Sequence, residues 1–175
     1  MASVSLPVII DIEASGFGSG SYPIEIGLAL SDASSRCVLV KPQTEWTHWD
    51  REGEALHRIS RATLVRFGKP ARDVAMELNE LLRGKTVYSD GWGFDYSWLS
   101  RLYDSVAMAP EFRLETLASI LSEQQMARWD SVKKQIFAEL DFQRHRASND
   151  ARVLQLTYQR TQPLARPVHT VLHDQ

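Results

Sequence analysis

The first patterned stretch of the chain is "LPVIID", Leu6 to Asp11, an apolar run with no polar alternation. Such a run predicts a strand covered on both faces. "IEIGLALSD" and "RCVLVKP" follow with only "ASS" between them, which predicts a three-stranded antiparallel start. The period then lengthens. "EGEALHRISRATLVRFG" and "ARDVAMELNELLRG" carry apolar residues at helical spacing, and Gly84 stands where a helix C-terminal cap belongs. "KTVYSD" predicts a strand, "DYSWLSRLYDSV" a helix, and "FRLETLASIL" a short strand running into a helix; "SVKKQIFAEL" and "RASNDARVLQLTYQR" predict two more helices. A meander followed by strand-helix alternation implies a mixed α/β sheet with helices on both faces. Beyond Arg160, Pro163 and Pro167 interrupt any helix, so residues 161–175 are expected to form a loosely held tail after a core of about 7–160.

A length of 175 residues with 43% hydrophobic composition suits a single domain, 1–175, with a continuous core. The opening "MASVSLPVIID" has no basic segment followed by a long apolar one, and no later stretch has the apolar length of a membrane span, so the expected location is the cytoplasm. The lone Cys37 excludes a disulfide framework within the chain and is expected as a small buried core residue. A formal net charge of −2 does not suit a protein that grips long duplex by counterion release. The charge is uneven, however. Asp11, Glu13, Glu25 and Asp32 precede the first basic residue, Arg36, whereas Arg128 to Arg166 holds eight basic residues against four acidic ones. An acidic pocket beside a basic rim fits that distribution.

Three stretches carry candidate chemistry. Asp11 and Glu13 end the first strand, and residues two apart point to one face, about 7 Å apart at Cα. Burying such a pair is costly without a positive partner, and hard divalent cations are the natural one; two surface acids at a strand end are the ordinary alternative. "VYSDGWGFDYSWL" leaves a strand, passes two glycines and presents Asp95 at a helix start, where a carboxylate also suits the macrodipole alone. "QRHRASNDARV" sets His145 five residues before Asp150, so that an imidazole and a carboxylate can border one pocket; taken singly, the segment also reads as a solvated helix face.

Asp11-x-Glu13, Phe94-Asp95 and His145-x-Ala147-x-x-Asp150, in this order, resemble the three motifs of the DEDDh 3'-to-5' exonucleases, the family of ribonuclease T, oligoribonuclease and the proofreading subunit of bacterial DNA polymerase III. The resemblance covers about Pro7 to Tyr158, and the third motif is the most specific. Ser15-Gly16, "PIEIG" from Pro23 and "LHRIS" from Leu56 are similar to flanking features of the family. Two positions depart from it. Gly91, after Asp90, occupies a place often held by Asn, which makes Asp90 a competitor of Asp95; the Phe-Asp pair favours Asp95. Arg58 replaces the Gly of the family's "HGI" segment, which puts the shape of that loop in question.

The resemblance implies a ribonuclease H-like exonuclease fold, a five-stranded mixed sheet of three antiparallel and two parallel strands. It implies two metal ions, Mg²⁺ or Mn²⁺, with Asp11 bridging them, Glu13 and Asp150 completing one site and Asp95 holding the other through water. It also implies His145 as general base toward the attacking water, and hydrolysis of phosphodiester bonds at the 3' end of single-stranded or short DNA or RNA. Ser15, Gly16, Phe17, His57 and Trp92 become substrate-binding candidates, with Phe17 the first choice for a base-stacking wedge. Trp46 and Trp49 are weaker loop candidates, Trp98 and Trp129 are expected in the core, and His48 and His169 have no assigned role. Family members include homodimers and a polymerase subunit, so a second copy or a polymerase are the protein partners it brings in; no segment is set apart for either. A non-catalytic module that binds nucleic-acid ends and a metal-dependent phosphohydrolase of small nucleotides are the competing functions.

Overall fold

A computed structural model describes residues 5–140 and 144–163. Three strands, β1 (Val8–Ala14), β2 (Pro23–Ala29) and β3 (Ser35–Leu39), form the expected antiparallel meander. The helices α1 (Arg51–His57), α2 (Arg61–Phe67) and α3 (Ala71–Leu82) lead to β4 (Thr86–Ser89). Then come α4 (Trp92–Ser105), β5 (Arg113–Thr116), a 3₁₀ turn (Leu117–Ile120), α5 (Glu123–Leu140) and α6 (Ala147–Thr161). The sheet order is β3-β2-β1-β4-β5, with β4 parallel to both β1 and β5. Among the described residues, no helix is long and apolar enough to cross a membrane. The expected tail from 164 onward, with His169, lies outside the described residues, and α6 runs one residue past the predicted end at Arg160.

The alternation of β1 distributes its side chains between two layers. Val8, Ile10, Ile12 and Ala14 enter the larger core with Val74, Leu78, Leu99 and Leu102 of α3 and α4. Ile9 enters the opposite core with Leu117 and with Ala151 and Leu154 of α6. Asp11 and Glu13 share the parity of Ile9 and so belong to the α6 face of the central strand. The β1-β4 ladder is short, pairing only Val8 with Val87 and Ile9 with Tyr88. Past that point the two strands part, and the Ile12 amide bonds to Asp95 instead.

Gly27 determines how closely α6 approaches. A Cβ there would lie 2.1 Å from the backbone of Ala147 and Ser148, so only glycine lets the start of α6 rest on β2. The small, fully buried Ala147 meets it from the other side.

Three expectations need correction. Cys37 is exposed because β3 is an edge strand, and its thiol turns to Glu25, donating to Oε1 at 3.1 Å. Trp46 is a core residue at 2% exposure, stacked on Tyr22 with ring centroids 5.0 Å apart; the loop that carries it folds back over the sheet. The helical pattern from Glu52 to Gly68 is two helices, α1 and α2. The break is at Arg58, whose φ of 59° and ψ of 28° close α1 with an amide bond to the Glu54 carbonyl, while Ser60 caps α2 by accepting from Thr63 N. Arginine thus holds the left-handed cap conformation that glycine adopts without penalty. Arg58→Gly should therefore stabilise the fold by about 0.5–1 kcal/mol, read as a higher urea midpoint at unchanged slope. A lower midpoint would mean that the arginine side chain contributes more than the strain costs.

Candidate active site

Four carboxylates from three elements converge at the C-terminal half of β1. Asp11 and Glu13 come from the strand, Asp95 from the first turn of α4, and Asp150 from the first turn of α6. Ligand atoms of Glu13, Asp150 and the His145 imidazole all lie within 4.8 Å of one another. Asp11 and Asp95 join this group electrostatically. Burial and then the charges of Asp95, Asp150 and Glu13 hold the Asp11 carboxyl well above the usual aspartate range. Burial, followed by the Asp150 and Glu25 carboxylates, raises Glu13 to about 7. Burial also raises Asp95 to about 7, although the Ser89 hydroxyl and the Ile12 amide both hydrogen-bond to it. Asp150 is raised by burial and drawn back by the His145 amide, which donates to Oδ2 at 2.9 Å.

The rivalry between Asp90 and Asp95 has a geometric outcome. Asp95 is 3% exposed and faces β1. Asp90 is exposed and ion-paired with Lys133 at 2.9 Å. After burial, both carboxylates raise Asp11, Asp95 more than Asp90, and Asp95 is the buried one that bonds to β1.

His145 has a φ of 58°, a turn that aims its amide at Asp150 just before Arg146 enters the helix. That turn is anchored by a contact with no assigned role in the sequence reading, between Glu25 and Arg146. Glu25 is fully buried on β2 directly opposite Glu13. Its carboxylate accepts from Arg146 Nε at 3.0 and 3.2 Å, from Arg146 Nη2 at 2.7 Å and from the Ala147 amide at 2.9 Å. Like charges facing each other across two strands repel, so Arg146 neutralises one member of the pair and leaves Glu13 free to face the cluster. Two glutamates at matching register on adjacent strands were the available signal.

The remaining candidates divide into scaffold and surface. The Ser15 hydroxyl is buried, bonded to His48 Nδ1 at 3.0 Å and to the Tyr22 amide at 3.2 Å. Gly16, at φ 135°, lies so close to Asp50 that a Cβ would sit 2.4 Å from the Asp50 Cβ. Both hold the β1-β2 turn, and His48 is the partner that secures it. Phe17 projects from this turn with 63% exposure, edge-on to Phe94 at 5.3 Å and 6.1 Å from Trp98. Phe94, known from its motif only as the neighbour of Asp95, is 57% exposed and stacks on Trp98 at 5.7 Å. Trp92 opens α4, stacks on Tyr96 at 5.3 Å and donates to the Leu114 carbonyl.

His57 is buried, with Nδ1 accepting from the Ile59 amide and Nε2 lacking a partner; burial lowers its pKa. Trp49 is half-buried and donates to Glu54 at 2.6 Å. Trp98 is buried, as expected, and donates to the Ser21 hydroxyl; Trp129 packs partly buried against the α6-side core.

The raised carboxyls have a consequence for stability in chelator. Glu13 and Asp95 bind their protons more tightly in the folded chain than in the unfolded one, where they titrate near the ordinary values. Stability from these groups is full below about pH 4 and is lost as pH rises through about 7. With EDTA present, the melting temperature should fall between those limits, and Asp95→Asn should flatten the fall. A melting temperature that rises across the same range would contradict the crowding described above.

No family model matches the chain, and no curated protein matches it in sequence. Solved structures do match in fold. The zinc-bound complex of E. coli exonuclease I with single-stranded DNA aligns with a TM-score of 0.65 at 11% identity, over 90% of this chain and 40% of that one. A further exonuclease I structure aligns with a TM-score of 0.65 at 11% identity, over 87% of this chain and 39% of that one. Exonuclease I from Methylocaldum szegediense gives 0.57 at 12% identity, over 71% of this chain and 30% of that one. The chain thus spans well under half the length of the structures it matches. Its mixed five-stranded sheet, in the order β3-β2-β1-β4-β5 with helices on both faces, is the ribonuclease H-like fold of those exonucleases.

Proposed function

We propose that this chain is a 3'-to-5' exonuclease of the DEDDh type, hydrolysing the terminal phosphodiester of single-stranded or short nucleic acid. The observation that carries the reading is the convergence of Asp11, Glu13, Asp95, Asp150 and His145 from three separate elements at one end of the central strand. Scattered surface acids would have no reason to meet there, or to be held with raised pKa values.

The donor set fits divalent metal. Carboxylate oxygens are hard ligands; burial raises Asp11, Glu13 and Asp95, and neighbouring acids raise Asp11 and Glu13 further, so a cation among them would favour the charged forms. Asp11, Glu13, Asp95 and Asp150 would hold two Mg²⁺ or Mn²⁺ ions, which supply a nucleophile at neutral pH and charge stabilisation for an in-line displacement. His145 stands beside Glu13 and Asp150, where its imidazole accepts the proton of the attacking water. The His145 amide bond to Asp150 fixes the base and the carboxylate in one turn. Phe17 and Phe94 offer faces on which a base stacks without regard to sequence.

The experiment is digestion of 5'-labelled single-stranded DNA and RNA with Mg²⁺, Mn²⁺ or EDTA. A ladder shortening from the 3' end and abolished by EDTA is expected; tight binding without cleavage in either metal would make the chain an end-binding module. His145→Ala should lower turnover by roughly 10² to 10⁴-fold and leave calorimetric Mn²⁺ binding near wild type. Loss of Mn²⁺ binding in that variant would make His145 a ligand.

A further inference from the structure

A cavity of about 350 Å³ opens beside the Phe17 turn, between residues 18–21 and the outer face of α4. Its walls are aromatic at one end, with Phe94 and Trp98, and polar at the other, with Ser19, Ser97 and Arg101. Arg101 is unusual among the basic residues. Its Nε is buried without a hydrogen-bond partner, while Nη1 is tied to the Ser19 carbonyl at 3.2 Å. It makes no ion pair among the described residues. The side chain thus lines the recess, held by one hydrogen bond and without a carboxylate partner among the described residues. Nε is enclosed by protein, so the Nη side of the fork is what meets an entering anion, and its N–H groups match a phosphate oxygen.

The position of the cavity indicates which phosphate. Phe94 precedes Asp95, and Arg101 follows Asp95 on the same helix by six residues, about 9 Å along the axis. A strand whose base lies on Phe17 and Phe94 reaches that far within about three nucleotides, at roughly 3.4 Å each when stacked.

We infer that Arg101 and the recess beside Phe94 and Trp98 form a phosphate subsite for the bound single strand, within about three nucleotides of the scissile bond. The inference rests on the exonuclease reading and names where its substrate backbone is gripped. The arginine takes a phosphate oxygen, Ser19 and Ser97 line the approach, and the aromatic wall carries the neighbouring base.

The test is fluorescence anisotropy of 5'-labelled dT8 and dT2, with Ca²⁺ as an oxygen-liganded ion, between about 50 and 200 mM salt. Arg101→Gln should weaken dT8 binding by about tenfold, the worth of one charge-assisted hydrogen bond. It should also flatten the dependence of log affinity on log salt by about 0.7, one phosphate contact on a single strand. The loss on dT2 should be smaller. Because Arg101 is partly buried, Ser97→Glu serves as a second variant on an exposed position and should repel the same phosphate. Unchanged dT8 affinity and salt slope in both variants would overturn the subsite and leave the exonuclease reading intact. Failure of the wild type to bind dT8 at all would overturn both.

Discussion

The seating of α6 on β2 is the contact on which the candidate site depends. It has a steric part, the absence of a side chain at Gly27 beneath the Ala147 backbone, and an electrostatic part, the Glu25-Arg146 pair. Breaking a buried pair by removing one partner typically costs about 3–5 kcal/mol, because the other charge is left uncompensated. Here the lower end applies, since 38% of the Arg146 side chain remains in solvent. The two parts act on one turn. Gly27 sets the depth of the helix start, Arg146 sets its direction, and the His145 amide then falls within reach of Asp150. Two of the five convergent side chains owe their positions to residues outside the cluster.

That arrangement stores repulsion rather than stability. Asp11, Glu13 and Asp95 all have carboxyls pushed upward, chiefly by burial and further by neighbouring acids. The scaffold tolerates this because other terms hold it: a core running from β1 to α3 and α4, and the hydrogen bonds that Ser89 and Ile12 give to Asp95. Those two donors keep the carboxylate oriented, and neither cancels its charge. The cluster is ordered in shape and unsatisfied in charge, the condition under which a cation is bound without costly rearrangement.

Much of this was legible in the sequence, for identifiable reasons. The apolar run ending at Asp11 fixed a central strand, and its period of two put Asp11 and Glu13 on one face. The order of the three motifs named the carboxylates that converge. The illegible parts are those where tertiary contact overrides local pattern. Trp46 lies in a segment with no periodicity, so its burial against Tyr22 could not be read. The break at Arg58 was hidden because arginine does not announce a left-handed residue as glycine would. Ser15 and His48 stand 33 residues apart, and no spacing rule links a turn serine to a histidine in a later loop. Glu25 was visible within "PIEIG", but its role needed the strand register that sets it opposite Glu13.

The near-neutral total charge now has a physical interpretation. On the proposed function, a polyanionic substrate approaching bare carboxylates would be repelled, so the acids would need to be recessed and paired with metal, with attraction coming from elsewhere. Several basic residues near the cluster are already engaged: Arg146 with Glu25, Lys133 with Asp90, and Arg144 over the Phe137 ring. Among the described residues Arg101 has no carboxylate partner, and it lines a recess with Phe94 and Trp98. On the proposed reading, the acids would hold cations and the arginine recess a phosphate. A strand lying across the Phe17-Phe94 pair would have its scissile phosphate drawn to the metals and a neighbouring phosphate drawn to the arginine, with a base pinned between. Such binding would use few ionic contacts and depend on stacking, so a net charge of −2 is compatible with the proposed hold on a single strand.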